Sequence, residues 1–414
     1  MRRITPGRLA ALLVSALVIA GCGSSGSSSS SSSSASASAS AAAPAKSSGP
    51  IVIGAAIAKT GLLSAYDMPA WTAFQMEVAN ANAQGGIDGH KIKLISADTK
   101  SVIPNGATVA KQLISQGAQM LVVSCDYDFG SPAAGIAQSA GDVSMSLCAQ
   151  SPLFGVQGIG NKAYTVSEDV VTEGAVVATF ARKQKGLKNA FLIVDDTLQY
   201  NRGLCDGFKK AFTALGGKIA GVASWSGKDP SIATEITQLQ NSGADSLMLC
   251  SIPPNGSGAL RQLGAAGVKV PVLSGGGMDG TYWVSAVPHI SNFFITTQVS
   301  VFGNDANPAV NAFVKAYTKA TGKPPATAYA AVGYSAAQAL VAALHGTGGN
   351  ANGTAVQGML DKFNKQPLLI GPTSFSATDH IPLDRPMVVI RYSNGKPQFL
   401  SRQAPGIAIT PQES

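Results

Sequence analysis

Ile51-Val52-Ile53-Gly54-Ala55-Ala56-Ile57 is a short, unbroken apolar run rich in branched residues. Such a run reads as a parallel strand buried on both faces, since a strand with one wet face would alternate. Residues 70–83 follow with the spacing of an amphipathic helix, and Gly85-Gly86 ends it where positive φ costs nothing. Residues 91–98 then alternate like a second strand. Strand, helix and strand in this order form a βαβ unit, the connection that parallel pairing requires.

Working outward, the unit repeats. Residues 107–116 read as helix, 120–124 as strand, 133–140 as helix and 143–147 as strand. A second set starts near Glu168, with helices at 170–185, 202–215, 232–241 and 259–266. Its strands fall at 190–194, 219–223, 246–250 and 270–273. Residues 293–301 read as a further strand, and 309–321 and 328–345 as helices. Ser393-Asn394-Gly395 turns a hairpin between 387–392 and 398–401, because Asn-Gly between apolar strands favours a tight turn. The expected fold is α/β, two doubly wound parallel-sheet lobes facing one cleft. In open sheets of this kind ligands sit beyond the carboxyl ends of the strands. That rule selects the loops 58–66, 125–132, 148–154, 195–202, 251–257 and 274–281, rich in Gly, Ser, Asp and Tyr. In them Asp126-Tyr127-Asp128 is the candidate polar core of the cleft, and Tyr66 and Tyr200 are candidate stacking walls. Ser251 sits on one of these loops, and Gly276, within Ser274-Gly275-Gly276-Gly277, lets backbone approach a ligand. Trp71 is expected in the core.

The N-terminus has a separate logic. Arg2, Arg3 and Arg8 precede an apolar run over residues 12–20 and then Gly21-Cys22. A positive segment, a short apolar segment and small residues before the cut are the layout of a secretory signal. Cys22 as the first residue after the cut makes it a bacterial lipoprotein signal, with residues 1–21 removed and the thiol acylated. Residues 23–48 are almost entirely Ser, Ala and Gly, which cannot bury apolar surface and read as a flexible tether. The remaining body of about 365 residues suits two domains. The expected division is a signal at 1–21, a tether at 22–49, lobe 1 at 50–167 plus 296–376, lobe 2 at 168–295 plus 377–405, and a tail at 406–414.

Removing the leader leaves 27 basic against 22 acidic side chains, a net charge of +5, with no dense basic run. Nucleic acid is not expected as a partner. Four cysteines remain, Cys125, Cys148, Cys205 and Cys250, and an even count in an exported chain suggests disulfides. Cys125 and Cys148 close neighbouring βα loops. Adjacent strands lie about 4.8 Å apart, within the reach of a bridge. Cys205 and Cys250 are then either the second bridge or two buried thiols. No C-x-x-C, H-E-x-x-H, Walker loop or G-x-S-x-G elbow occurs, and His90, His289, His345 and His380 are dispersed. No metal, cofactor or catalysis is expected. Gly155-Val156-Gln157-Gly158-Ile159-Gly160 has the wrong spacing for a phosphate cradle.

Asn82-Ala83-Gln84-Gly85-Gly86-Ile87-Asp88-Gly89-His90-Lys91-Ile92 resembles the signature of the branched-chain amino-acid-binding protein family, the type I solute-binding proteins of ABC importers. Gly61-Leu62-Leu63-Ser64-Ala65-Tyr66 resembles that family's first ligand loop, and Asp195-Asp196-Thr197-Leu198-Gln199-Tyr200 the loop that opens its second domain. The resemblance spans residues 50–400. It implies a three-strand hinge, closure on a small solute and docking on a membrane permease. The body is expected to be a monomer. By position the resemblance makes Asp126 and Tyr127, and Ala149, Gln150 and Ser151, the ligand-carboxylate loops. This chain has Gly275-Gly276-Gly277 where amino-acid binders of the family carry an acid, with Asp279 a few residues later. Two carboxylates, Asp126 and Asp128, would repel a ligand carboxylate, so a neutral, amide-like or cationic solute is expected. Two other functions fit the same fold: a sensory receptor domain acting through a partner, and a cleft hydrolase using Asp126 and Asp128 as paired carboxylates.

Overall fold

The computed structural model describes residues 49–409. The leader, Cys22, most of the tether and the last residues of the tail lie outside them. The first lobe is a five-stranded sheet of β1 (Ile51–Ile57), β2 (Ile92–Asp98), β3 (Met120–Val123), β4 (Val143–Ser146) and β5 (Ala163–Thr165). Its order is β2-β1-β3-β4-β5, and every pairing is parallel. The second lobe is a seven-stranded sheet. Its parallel part is β6 (Asn189–Asp195), β7 (Lys218–Trp225), β8 (Ser246–Cys250), β9 (Val272–Ser274) and β10 (Phe293–Thr297). A small hairpin, β11 (Gln366–Leu368) with β12 (Gly371–Thr373), stands apart. The antiparallel pair β13 (Met387–Ser393) and β14 (Lys396–Gln403) completes the second sheet, in the order β14-β13-β10-β9-β8-β6-β7. The fold is the expected two-lobed α/β one.

Among the described residues ten α-helices flank the sheets: α1 (Ser64–Ala83), α2 (Asn105–Ser115), α3 (Tyr127–Ala140), α4 (Val170–Thr179), α5 (Gln199–Ala214), α6 (Ala233–Asn241), α7 (Asn255–Ala265), α8 (Pro308–Thr321), α9 (Tyr329–Gly346) and α10 (Gly353–Leu360). A π-helical turn, Phe180–Gln184, extends α4. The short strand β5, the helix α10 and the β11–β12 hairpin carry no period long enough to see in the sequence. Several helices begin earlier than their periodicity suggests, α1 at Ser64, α3 at Tyr127 and α5 at Gln199. The residues gained mix polar and aromatic side chains with Gly, Pro and isolated apolar ones, a pattern that carries no apolar stripe.

The Asn82–Ile92 string explains itself in three dimensions. The Asn82 side chain holds strand β2 at two points, donating to the Ile92 carbonyl and accepting from the Ile92 N–H, both at 2.8 Å. Gly86 has φ +82°, and a Cβ there would lie 2.2 Å from the His90 carbonyl. Only glycine fits the chain reversal that joins α1 to β2. At the far end of the molecule Asn394 (φ 51°) and Gly395 (φ 72°) form the tight turn of the hairpin.

The chain passes between the lobes three times, near residues 166–169, 298–307 and 374–386. Arg385 ties these crossings together. Its guanidinium donates to the Val166 carbonyl (3.1 Å) and to Gln298 Oε1 (3.5 Å), and its backbone N–H donates to Glu168 Oε1 (2.9 Å). The side chain is buried, so each of these bonds works without competition from water.

Candidate functional site

The carboxyl ends of the two parallel sheets face each other, and a cavity lies between them. From the first lobe it is lined by Leu63, Tyr66, Cys125, Asp126, Tyr127, Cys148, Gln150, Ser151 and Tyr329. Leu198, Tyr200, Ile252 and Gly277 line it from the second. Its volume open to water centres is about 30 Å³, more than the roughly 10–15 Å³ one water needs. The lobes touch directly around it. The Tyr66 hydroxyl donates to the Gly277 carbonyl (2.9 Å), and the Gln199 N–H donates to Asp128 Oδ2 (2.9 Å). The Ala328 N–H donates to Asp279 Oδ2 (2.5 Å), and Gln150 Nε2 to Glu173 Oε2 (2.9 Å).

Local structure places each wall. Asp126 is the N-cap of α3, where its carboxylate accepts the N–H groups of Asp128 and Phe129. Burial, with the neighbouring Asp128 charge second, pushes its carboxyl up to about 7. Tyr66 and Tyr200 sit in the first turns of α1 and α5, not in loops. Helix turns fix both rings, and Tyr66 also packs edge-on against Tyr329, centroids 5.6 Å apart. Cys125 and Cys148 are joined, Cα atoms 4.3 Å apart, which fastens the two adjacent wall loops of the first lobe. Cys205 and Cys250 are joined as well, at 5.8 Å, so they are a second bridge and not free thiols.

Tyr66, Asp126, Tyr127, Gln150, Ser151 and Tyr200 are thus brought together. Four expected positions lie off the cavity. The Ala149 N–H goes to Ser146 Oγ, and its carbonyl accepts from Thr165. The Ser251 hydroxyl donates to Asp195 Oδ2 (2.8 Å), and its neighbour Ile252 takes the wall. Gly276 is one residue behind the lining, its N–H spent on Glu173 Oε1 (2.7 Å). Asp279 bonds across the lobes to Ala328 and does not face inward. The two-carboxylate loop also needs correction. Asp126 lines the cavity, while Asp128 turns to Gln199 on the other lobe. The pair therefore does not stand as acid and base across a substrate.

Glu173, Tyr329 and Asp67 were missed. Glu173 is the one acid in the apolar string Val170–Thr179, and a charge in an otherwise apolar helix was the available signal. Asp67 is fully buried and holds the site from beneath. Its carboxylate accepts the Ala58 N–H (2.7 Å) at the end of β1 and the Cys125 N–H (2.8 Å) beyond β3. Burial raises its carboxyl to about 6 against these bonds. Asp67→Ala leaves two buried N–H groups without an acceptor, each costing about 1–3 kcal/mol. The expected loss is about 3 kcal/mol in urea unfolding, and an unchanged midpoint would disprove the role.

A hinged pair of α/β lobes with a small, partly open cavity between facing strand ends, its walls mostly apolar and aromatic with a few polar side chains, defines a cleft-binding receptor. Residues 50–397 match the periplasmic binding protein family, and the chain belongs to it. Among curated relatives, a Leu/Ile/Val-binding protein homolog of Brucella melitensis is 25% identical over 331 residues, 79% of this chain and 88% of its own. A Leu/Ile/Val-binding protein of Rhizobium johnstonii is 24% identical over 330 residues, again 79% and 88%. Among solved structures, the branched-chain amino-acid transporter substrate-binding protein LivJ of Streptococcus pneumoniae, in complex with isoleucine, has a TM-score of 0.75 at 21% identity. The match covers 86% of this chain and 99% of that one. A solute-binding protein of an ABC transporter from R. palustris, in complex with benzoate, has a TM-score of 0.73 at 20% identity, covering 87% and 98%.

Proposed function

We propose that this protein is the substrate-binding protein of an ABC importer, anchored outside the cytoplasm through an acylated Cys22, and that it captures a small polar solute by closure of its lobes. The observation that carries the reading is the cavity between the lobes, with hydrogen bonds running from one lobe to the other beside it. A solute that bridges both walls binds the closed form better than the open one and so shifts the population toward it. The proposed lobe limits are 50–167 plus 296–376 and 168–295 plus 377–405. Its partners are the solute, a membrane permease and, through the lipid, the membrane, and it acts as a monomer without cofactor or catalysis.

The proposed solute class is an amino acid, an amide or a related compound. Relatives named for Leu, Ile and Val and a structural neighbour holding benzoate support a small organic solute. A thermal-shift screen over amino acids, amides, polyamines and aromatic acids tests this. A true solute at 100 times its Kd stabilises by about 2.7 kcal/mol, an upward shift of several degrees. Recovery of the bound compound unchanged is expected, whereas turnover would turn the reading into an enzyme. Mass spectrometry of membrane-extracted protein should show the acyl mass on Cys22, lost in Cys22→Ala.

A further inference from the structure

Glu173 lies one layer behind the cavity and collects the hydrogen bonds of its wall. Oε1 accepts the Gly276 N–H (2.7 Å) and the Thr296 hydroxyl (3.0 Å). Oε2 accepts Gln150 Nε2 (2.9 Å) and the Tyr200 hydroxyl (3.0 Å). None of the ion pairs among the described residues involves it. The titratable groups that face it are Asp169 at the N-cap of α4, Tyr200 and Tyr329, and behind Tyr329 stand Asp126 and Asp279.

An ionised carboxylate only accepts, and a carbonyl only accepts. That fixes the direction of every bond in the chain. Tyr200 takes the Gly277 N–H on its oxygen (2.9 Å), so its own proton goes to Glu173. Gln150 reaches Glu173 and the Glu168 carbonyl with Nε2, both acceptors, so its Oε1 points the other way. Tyr329 therefore donates to Gln150 Oε1 (3.1 Å). Tyr66 donates to the Gly277 carbonyl. The protons of Tyr66, Tyr200 and Tyr329, three of the four wall tyrosines, are spent on the protein, so these hydroxyls can meet a solute only as acceptors; Tyr127 and Ser151 keep theirs.

Resting on the receptor reading above, we propose that Glu173 is a positioning residue that sets the polarity of the cavity, turning the Tyr200 and Tyr329 oxygens toward the solute as acceptors, so that the solute meets them with a nitrogen that donates hydrogen bonds. The specificity lies in an acid that the solute never touches. An amide at this position brings a donor where four donors already converge, and one wall group must reverse and push its proton into the cavity.

The test is calorimetric titration at pH 8 of the full chain from Cys22 onward with L-leucine, L-leucinamide and 4-methylpentanoate, which share a side chain and differ at the head. The nitrogen-headed probes are expected to bind and the nitrogen-free acid to bind on the order of tenfold or more weakly. Glu173→Gln is expected to remove that preference, with the phenolic ¹³C resonance of Tyr200 displaced. Should Glu173→Gln not fold, Tyr329→Phe, which removes one acceptor oxygen and keeps the ring, is expected to narrow the preference in the same direction. Equal binding of 4-methylpentanoate and leucinamide by the wild type, or a preference untouched by either variant, overturns the polarity proposal alone. Binding of none of the three overturns the amino-acid-like receptor reading together with it.

Discussion

Gly207→Ala is expected to destabilise the second lobe by about 3 kcal/mol or more, at the upper end of overpacking costs. Helices α4 and α5 cross backbone to backbone. A Cβ on Gly207 would sit 2.1 Å from the Val171 carbonyl oxygen and 2.7 Å from its Cα, and one on Gly174 would sit 2.4 Å from the Leu204 carbonyl. The obstacle is main chain, so no rotamer change relieves it. The helices must separate, and the buried Val171, Leu204 and Phe208 lose contact. The separation also reaches function, because α4 carries Glu173 and α5 carries Tyr200. Gly258→Ala is the control. It lies in α7 with nothing within 4 Å of the added carbon, and the better helix propensity should leave stability equal or raise it by up to about 1 kcal/mol. Equal urea midpoints for the two variants would show that the close crossing is not a constraint.

Acidifying from pH 8 to pH 5.5 is expected to raise the melting temperature of the free protein by about 3–5 °C, the response to roughly 2–3 kcal/mol in a chain of this size. Six buried carboxyls are held above their ordinary range, in each case first by desolvation: Asp67 and Asp279 at about 6, Asp126, Asp169 and Glu173 at about 7, and Glu168 at about 8. A carboxyl whose folded pKa lies above the unfolded one keeps its proton in the folded state at pH values where the unfolded chain has released it. Stability from such groups is fully present below the unfolded value, near 4, and is lost as pH rises through the folded value. The window is therefore about pH 4 to 8, with stability falling upward. His380 opposes the trend at its acid end. Burial lowers its pKa, so it must be charged at a cost as pH drops below its ordinary value of about 6.5. Glu173→Gln should flatten the slope between pH 6 and 8. A melting temperature that rises from pH 5.5 to 8 would mean that these acids are not buried as described.

The fold was legible because its determinants are local and repeated. Apolar branched runs such as Ile51–Ile57 and Ser246–Cys250 have no wet face, and each is followed by a helix-length polar-apolar period. Asn394-Gly395 could be placed in a turn from two residues alone, since few residues other than Asn and Gly tolerate positive φ in succession. Tyr66, Asp126 and Tyr200 could be placed near the cleft because the strand ends locate it. Their conformations could not. The three sit at helix starts, and helix starts are fixed by capping bonds and tertiary contacts that leave no periodic trace.

By itself, the sequence determined the class of fold, the order of its elements and the side of the sheets on which ligand groups gather, because strand and helix periods and glycine turns depend on near neighbours. Tertiary structure alone decided which of the gathered residues face the cavity. Asp128, Ser251 and Asp279 are spent on protein partners 71, 56 and 49 residues away along the chain. Glu173, distant in sequence from Gln150, Gly276 and Thr296, directs them all. Hydrogen-bond direction is a property of the closed three-dimensional network, and no window of sequence contains it.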